Sequence, residues 1–159
     1  MAGFTESHDK LMEAALAAAR RAARAGEVPV GAALYHDGKL LGTERNRMEA
    51  RRDPTAHAEM LLLRGLTRYP EIPRNELILY VTLEPCPMCA GAIIMARIGT
   101  VVWGADDPRY GACGSVFRVL GEGLPAPQPR LIAGVREFEC SELLRQFFKT
   151  IRRRDKLDG

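Results

Sequence analysis

Three groups of the kind that hold zinc stand in two short motifs, His57-Ala58-Glu59 and Pro85-Cys86-Pro87-Met88-Cys89. Zinc takes imidazole nitrogen and thiolate sulfur, and catalytic sites commonly provide three protein ligands and leave a fourth position to water. Cys86 and Cys89 are spaced i, i+3, so a first helical turn brings both to one side. Both motifs fall at predicted helix N-termini, where free N–H groups and the helix dipole favour thiolates. Two thiolates balance the dication, His57 binds neutral, and water at such a centre ionises near neutral pH. Glu59, two residues beyond His57, lies on a different helical face and reaches the same centre only if the metal sits off the helix end. So placed, it takes a proton from water and returns it to the departing group, which is the division of labour in metal-assisted hydrolysis.

A closed, purely structural zinc site with Cys113 or another group as fourth ligand is the competing reading. It gives no reason for a Glu beside the His, so hydrolysis is favoured. Other residues read more simply on their own. Asn46 follows a strand, where Asn is common as a turn residue. Val28 reads as core, and Pro29 shapes the entry to a strand. Cys113 and Cys140 read as structural, Trp103 as part of a buried strand, and His8 and His36 as surface residues without a ligand partner. The basic tail of Lys149, Arg152, Arg153, Arg154 and Lys156 suits either RNA phosphates or a solvated helix end. Phe147 and Phe148 follow an apolar helical stripe, so at least one of them packs in the core.

The elements that must position these groups alternate between helix and strand. Ser7 to Ala25 predicts an Ala-rich helix stopped by Gly26. Val28 to Tyr35 predicts a strand that turns at His36-Asp37-Gly38-Lys39 into Leu40 and Leu41, a hairpin with an Asp-Gly turn. A helix is expected from Asp53-Pro54-Thr55 to about Tyr69, with Asp53 or Thr55 as cap. Leu77 to Leu83 has strand length. Pro87 opens a helix to about Arg97, Gly99 ends it, and Thr100 to Trp103 forms a strand. Gly104 to Gly123 reads as loop, and Pro125, Pro127 and Pro129 make a stiff connection. Leu131 to Val135 predicts a short edge strand, and a final helix starts at Ser141. The alternation predicts an α/β sandwich around a mostly buried central sheet.

The chain of 159 residues fits one domain spanning 1–159, with 47% apolar residues to fill a core and 27% charged residues to solvate it. A net charge of +3 is mildly basic and does not by itself argue for nucleic acid. Four cysteines without a secretory context favour metal binding or burial over disulfides. No apolar run approaches the roughly 20 residues that span a bilayer. Glu6, Asp9 and Glu13 stand where a signal peptide needs basic and apolar residues, so a cytoplasmic protein without a membrane partner is expected.

The spacing H-x-E followed by P-C-x-x-C is that of zinc nucleobase deaminases. Beyond it, Asp53 to Glu59 and Leu79 to Ala92 resemble the bacterial tRNA-specific adenosine deaminases of the cytidine deaminase superfamily. Glu27 to Ala32, Arg97-Ile98-Gly99, Gly111 to Ser115 and Phe147-Phe148-Lys149 with its basic tail are similar too. The resemblance covers nearly the whole chain. It implies a three-layer α/β/α sandwich with a mixed sheet of about five strands. It also implies conversion of adenosine to inosine at the wobble position of a tRNA anticodon stem-loop, by a homodimer with one zinc ion per chain. On the matching motifs, His57, Cys86 and Cys89 hold the zinc, Glu59 moves protons, and Asn46 and Val28 contact the flipped adenosine. The family's Asn-His pair before the last strand is replaced here by Pro125-Ala126-Pro127-Gln128-Pro129-Arg130, which weakens what the resemblance implies about substrate contacts there. The zinc motifs alone equally suit a deaminase of free cytosine, guanine or a nucleotide, and a non-catalytic zinc-containing RNA-binding module remains the third reading.

Overall fold

The computed structural model describes residues 7–121 and 125–159. Glu6 and the last two residues of the expected 104–123 loop lie outside them. Ser7 caps helix α1 (His8–Arg24), its hydroxyl accepting from the Lys10 N–H. Strands β1 (Gly31–His36) and β2 (Lys39–Arg45) form the expected hairpin. Asp37 and Gly38 take φ of 45° and 75°, the left-handed pair that a two-residue hairpin turn requires. Helix α2 (Met48–Arg51) and helix α3 (Ala58–Arg64) follow. Strand β3 (Ile78–Leu83), helix α4 (Pro87–Ala96), strands β4 (Thr100–Ala105) and β5 (Arg130–Ile132), and helix α5 (Glu137–Leu157) complete the order.

The sheet runs β2-β1-β3-β4-β5. β1 pairs antiparallel with both β2 and β3, whereas β3–β4 and β4–β5 are parallel. It is thus a mixed five-stranded sheet with β5 on an edge. Side chains alternate across it with the strand period of two. Ala32, Leu34, Leu79, Val81, Val101 and Trp103 meet α3 and α4 on one face. Ala33, Tyr35, Tyr80 and Val102 meet α1 and Cys140 of α5 on the other. The result is the three-layer α/β/α sandwich. Each Leu, Ile or Val buried between layers contributes about 1.5–3 kcal/mol relative to exposure.

Close approach explains two glycines. A Cβ at Gly31 would stand 2.0 Å from the Ala15 carbonyl oxygen of α1, and one at Gly104 would stand 2.3 Å from Cys140 Sγ. Arg136 pairs with Glu139 and with Glu13 of α1, which ties the last helix to the first.

Several boundaries differ from the sequence expectation. α3 begins only after His57 and gives way at Gly65 to a 3₁₀ turn over Gly65–Arg68, because Asp53 and Thr55 bond to each other in a tight turn instead of capping a helix. α2 has no counterpart in the expected elements. α5 starts at Glu137, four residues before Ser141. Neither His8 nor His36 joins a metal group among the described residues, and each makes a hydrogen bond: His8 Nδ1 lies 2.8 Å from the Tyr80 hydroxyl, and His36 Nε2 lies 2.9 Å from Glu76 Oε2. Among the described residues no helix is long and apolar enough to cross a membrane.

Candidate metal centre and cavity

His57 and Cys86 occupy the residues immediately before α3 and α4, both with extended backbone, and Pro87 supplies the preset φ of a first helical position. Cys89 follows one turn into α4. His57 Nδ1 lies 3.7 Å from Cys86 Sγ and 3.5 Å from Cys89 Sγ, and all three ligand atoms fall within 4.8 Å of one another. Zinc–sulfur bonds of about 2.3 Å and zinc–nitrogen bonds of about 2.0–2.1 Å at tetrahedral angles place sulfur and nitrogen about 3.6 Å apart. The donor set therefore fits zinc in both chemistry and spacing. Cys113 does not join the group, so among the described residues the cluster comprises three ligands, not four.

The electrostatics follow from this crowding. A hydrogen bond from the Cys89 thiol, helped by the His57 ring, pulls the Cys86 thiol down to about 4. The same bond and burial push Cys89 up. Contact with Cys86 raises His57 against the opposing effect of burial. A dication at the centre favours thiolate on both sulfurs and neutral imidazole. Burial raises Cys113, with the negative Glu84 and Glu59 adding to it, and it behaves as a packed thiol.

Glu59 is buried in the first turn of α3, and burial pushes its carboxyl up to about 7. Its Oε2 has no hydrogen-bond partner among the described residues. A buried orphan acceptor is costly unless something approaches it. Glu59 also lines a cavity of about 480 Å³ together with His57 and Cys86, a volume in the range of small-molecule sites.

Val28 and Asn46 line the same cavity, so the two residues matched to substrate contacts lie beside the three-ligand group. Asn46 is 4% exposed, and its amide also works within the protein. Nδ2 donates to the Val28 carbonyl at 3.3 Å, and Oδ1 accepts from the Ala58 N–H at 3.0 Å. Asn46 thus straps the approach to β1 onto the start of α3, next to His57. The cavity also takes Met48 from α2, residues 106–110 after β4, and Leu144 and Phe148 from α5. Met48 and residues 106–110 were not singled out from sequence, whereas Phe148 was, as one of two phenylalanines on an apolar helical stripe. That stripe splits between two surfaces: Phe148 faces this cavity and Phe147 a groove between α5 and the end of α1. The basic groups Lys149, Arg152, Arg153, Arg154 and Lys156 are exposed along the same helix.

A three-ligand metal group beside a buried carboxyl with one unpartnered oxygen, all on one cavity, is the arrangement of a hydrolytic metal site. Residues 5–105 match the family described as the cytidine and deoxycytidylate deaminase zinc-binding region, and the chain belongs to it. It is 40% identical over 146 residues to the tRNA-specific adenosine deaminase of Bacillus subtilis (strain 168), covering 91% of each chain. It is 44% identical over 155 residues to the chloroplastic tRNA(adenine(34)) deaminase of Arabidopsis thaliana, covering 87% of this chain and spanning 12% of the plant protein's length. A solved structure from a study of A-to-I editing by tRNA:A34 deaminases at the wobble position of transfer RNA superposes with a TM-score of 0.77. The two chains are 40% identical, with 85% of this chain and 99% of that one covered.

Proposed function

We propose that residues 1–159 form one zinc-dependent deaminase domain that converts adenosine to inosine at the wobble position of a tRNA anticodon. The observation that carries the chemistry is the unpartnered Oε2 of the Glu59 carboxyl, buried in a cavity beside His57, Cys86 and Cys89. The similarity to tRNA deaminases over nearly the whole chain carries the choice of substrate.

His57, Cys86 and Cys89 hold one zinc ion, which supplies a Lewis-acidic centre that makes water a nucleophile near neutral pH. Glu59 accepts the proton of the attacking water and delivers it to the ring nitrogen next to C6 as that carbon becomes tetrahedral. It then takes the proton of the new C6 hydroxyl and passes it to the amino group, so that the C–N bond breaks, ammonia leaves and the carbonyl of inosine forms. Burial raises the carboxyl and a cation beside it favours the carboxylate, and these opposed influences suit a group that both takes and returns a proton. Val28 and Asn46 bound the base, and the amide of Asn46 keeps them in register with His57. An anticodon base is already partly unstacked, so bringing it into the cavity costs less than from a duplex. The exposed basic groups of α5, on the helix that brings Phe148 to the cavity, supply phosphate contacts.

A homodimer in the cytoplasm completes the reading. The pairing of two chains is supported by α4, apolar over most of its length, whose Met95 is 84% exposed. The test compares inosine formation from an adenosine-bearing anticodon stem-loop, the same loop with cytidine at the target, and free nucleosides. Fastest turnover is expected for the adenosine loop. Faster turnover of any free base or nucleoside would transfer the activity to small substrates.

A further inference from the structure

Residues 106–110 form a continuous stretch of the cavity wall. Between β4 and residue 121, however, the described chain has no helix or strand beyond a single bridge between Cys113 and Arg118. The segment is held by a carboxylate instead. Glu84, which directly follows β3, is 2% exposed. Its Oε2 accepts from the Asp107 N–H at 3.0 Å, and its Oε1 accepts from those of Cys113 and Ser115 at 3.0 and 3.1 Å. The next residue adds a tie, because the Ala112 N–H donates to the Pro85 carbonyl at 2.9 Å. There is no slack: a Cβ at Gly111 would stand 2.3 Å from Glu84 Oε2 and 2.6 Å from the Asp107 carbonyl oxygen. Asp107 in turn accepts from the N–H groups of Arg109 and Tyr110, and Asp106 accepts from Trp103 Nε1. Only Pro85 separates Glu84 from Cys86.

We infer that Glu84 is a positioning residue of the reaction: it fixes residues 106–115 so that the cavity wall holds the base in line with the metal group. The inference rests on the deaminase reading above. It follows from acceptor capacity. A carboxylate only accepts, and both oxygens are in use. A Gln of the same shape keeps one acceptor oxygen and turns an amide nitrogen towards an N–H, leaving at least one buried donor unsatisfied. Either the Asp107 side or the Cys113 and Ser115 side is then released. Misplacement of a reacting base by about 1 Å is enough to cost on the order of 10²-fold in rate.

The experiment uses zinc-loaded wild-type protein, Glu84→Gln and Gly111→Ala, the last pressing on the same contact from the loop side. Three quantities are measured: zinc content, amide hydrogen exchange, and kcat and KM on stem-loops carrying adenosine or cytidine at the target. Expected for both variants are zinc near the wild-type level and exchange at Asp107, Cys113 and Ser115 faster by about tenfold or more. A fall in kcat/KM for adenosine of about 100-fold should accompany them, with a narrowed preference over cytidine. A residue with only a structural role would lower the melting temperature and leave that preference unmoved. If Glu84→Gln fails to fold, Gly111→Ala carries the comparison. Unchanged exchange at the three amides would overturn the inference, as would faster exchange with unaltered kcat/KM and preference. Should wild-type protein leave the RNA loop unconverted, the proposed function fails separately, and the exchange data still decide whether Glu84 holds the wall.

Discussion

Replacing Glu59 by Gln keeps the side chain's volume and removes both its charge and its transferable proton. Burial holds the carboxyl at about 7 instead of the ordinary 4.5, and that gap, at 1.36 kcal/mol per pH unit, is about 3 kcal/mol. In metal-stripped protein this is what charging the buried group costs. The folded state binds the proton more tightly than the unfolded chain. The contribution to stability is therefore fully present below pH 4.5, declines as the pH rises, and is gone above about 7. Glu59→Gln has nothing to titrate. Metal-stripped variant and wild type should melt alike near pH 4.5, and at pH 8 the variant should be more stable by up to about 3 kcal/mol. For a chain of this length that is roughly 6–12 °C in melting temperature. With zinc bound the gain should shrink, because the cation favours the carboxylate. Activity should move the other way, falling by about 10²–10⁴-fold and towards the upper end because one group both accepts and donates. Calorimetry across pH, zinc analysis and inosine formation cover the three claims. Turnover within a few-fold of wild type would show that another group carries the proton. A stability difference that does not depend on pH would show that burial does not raise the Glu59 carboxyl.

Cys86→Ala should take bound zinc from near one equivalent to a small fraction, and full retention by elemental analysis would remove Cys86 from the ligand set. Gly31→Ala should lower the denaturant midpoint. Its Cβ would fall 2.0 Å from the Ala15 carbonyl oxygen and 2.4 Å from the Ala19 nitrogen, and overpacking of this kind costs about 1–3 kcal/mol. An unchanged midpoint would mean that α1 lies less tightly on β1 than described. Removing the residues after Thr150 deletes Arg152, Arg153, Arg154 and Lys156 and should flatten the salt dependence of tRNA affinity by about 0.7–0.9 log unit per lost phosphate contact. Zinc content should be unaffected, and because Ile151 is half-buried a melting control accompanies the measurement. An unchanged slope would return these residues to a solvated helix end.

The grouping of His57, Cys86 and Cys89 was legible because metal chemistry restricts residue type and spacing, and because the signals that place them are local. Pro87 opens α4 at Cys86, and the i, i+3 spacing does the rest. The hairpin was legible for a similar reason: Asp37-Gly38 is among the few pairs that tolerate two consecutive positive φ values. What escaped depends on partners distant in the chain. α2 is a single helical turn held by the Glu27 carboxylate, which accepts from the N–H groups of Glu49 and Ala50, 22 and 23 residues away. The wall at 106–115 depends on Glu84, whose acceptors meet donors 23 to 31 residues later. Residue type does not mark either of them as buried, since glutamate is seldom buried without a partner. Yet their partners are backbone N–H groups, which every non-proline residue carries, so no side-chain pattern marks the receiving end. Position is the remaining clue. Glu84 stands between the apolar run of β3 and Pro85, where a solvated charge has no room, and a buried carboxylate there must find donors in whatever segment packs against it. The three-ligand group and the carboxylate that pins the cavity wall therefore differ in visibility for a physical reason: a metal site selects side chains, and a carboxylate clamp selects only a backbone path.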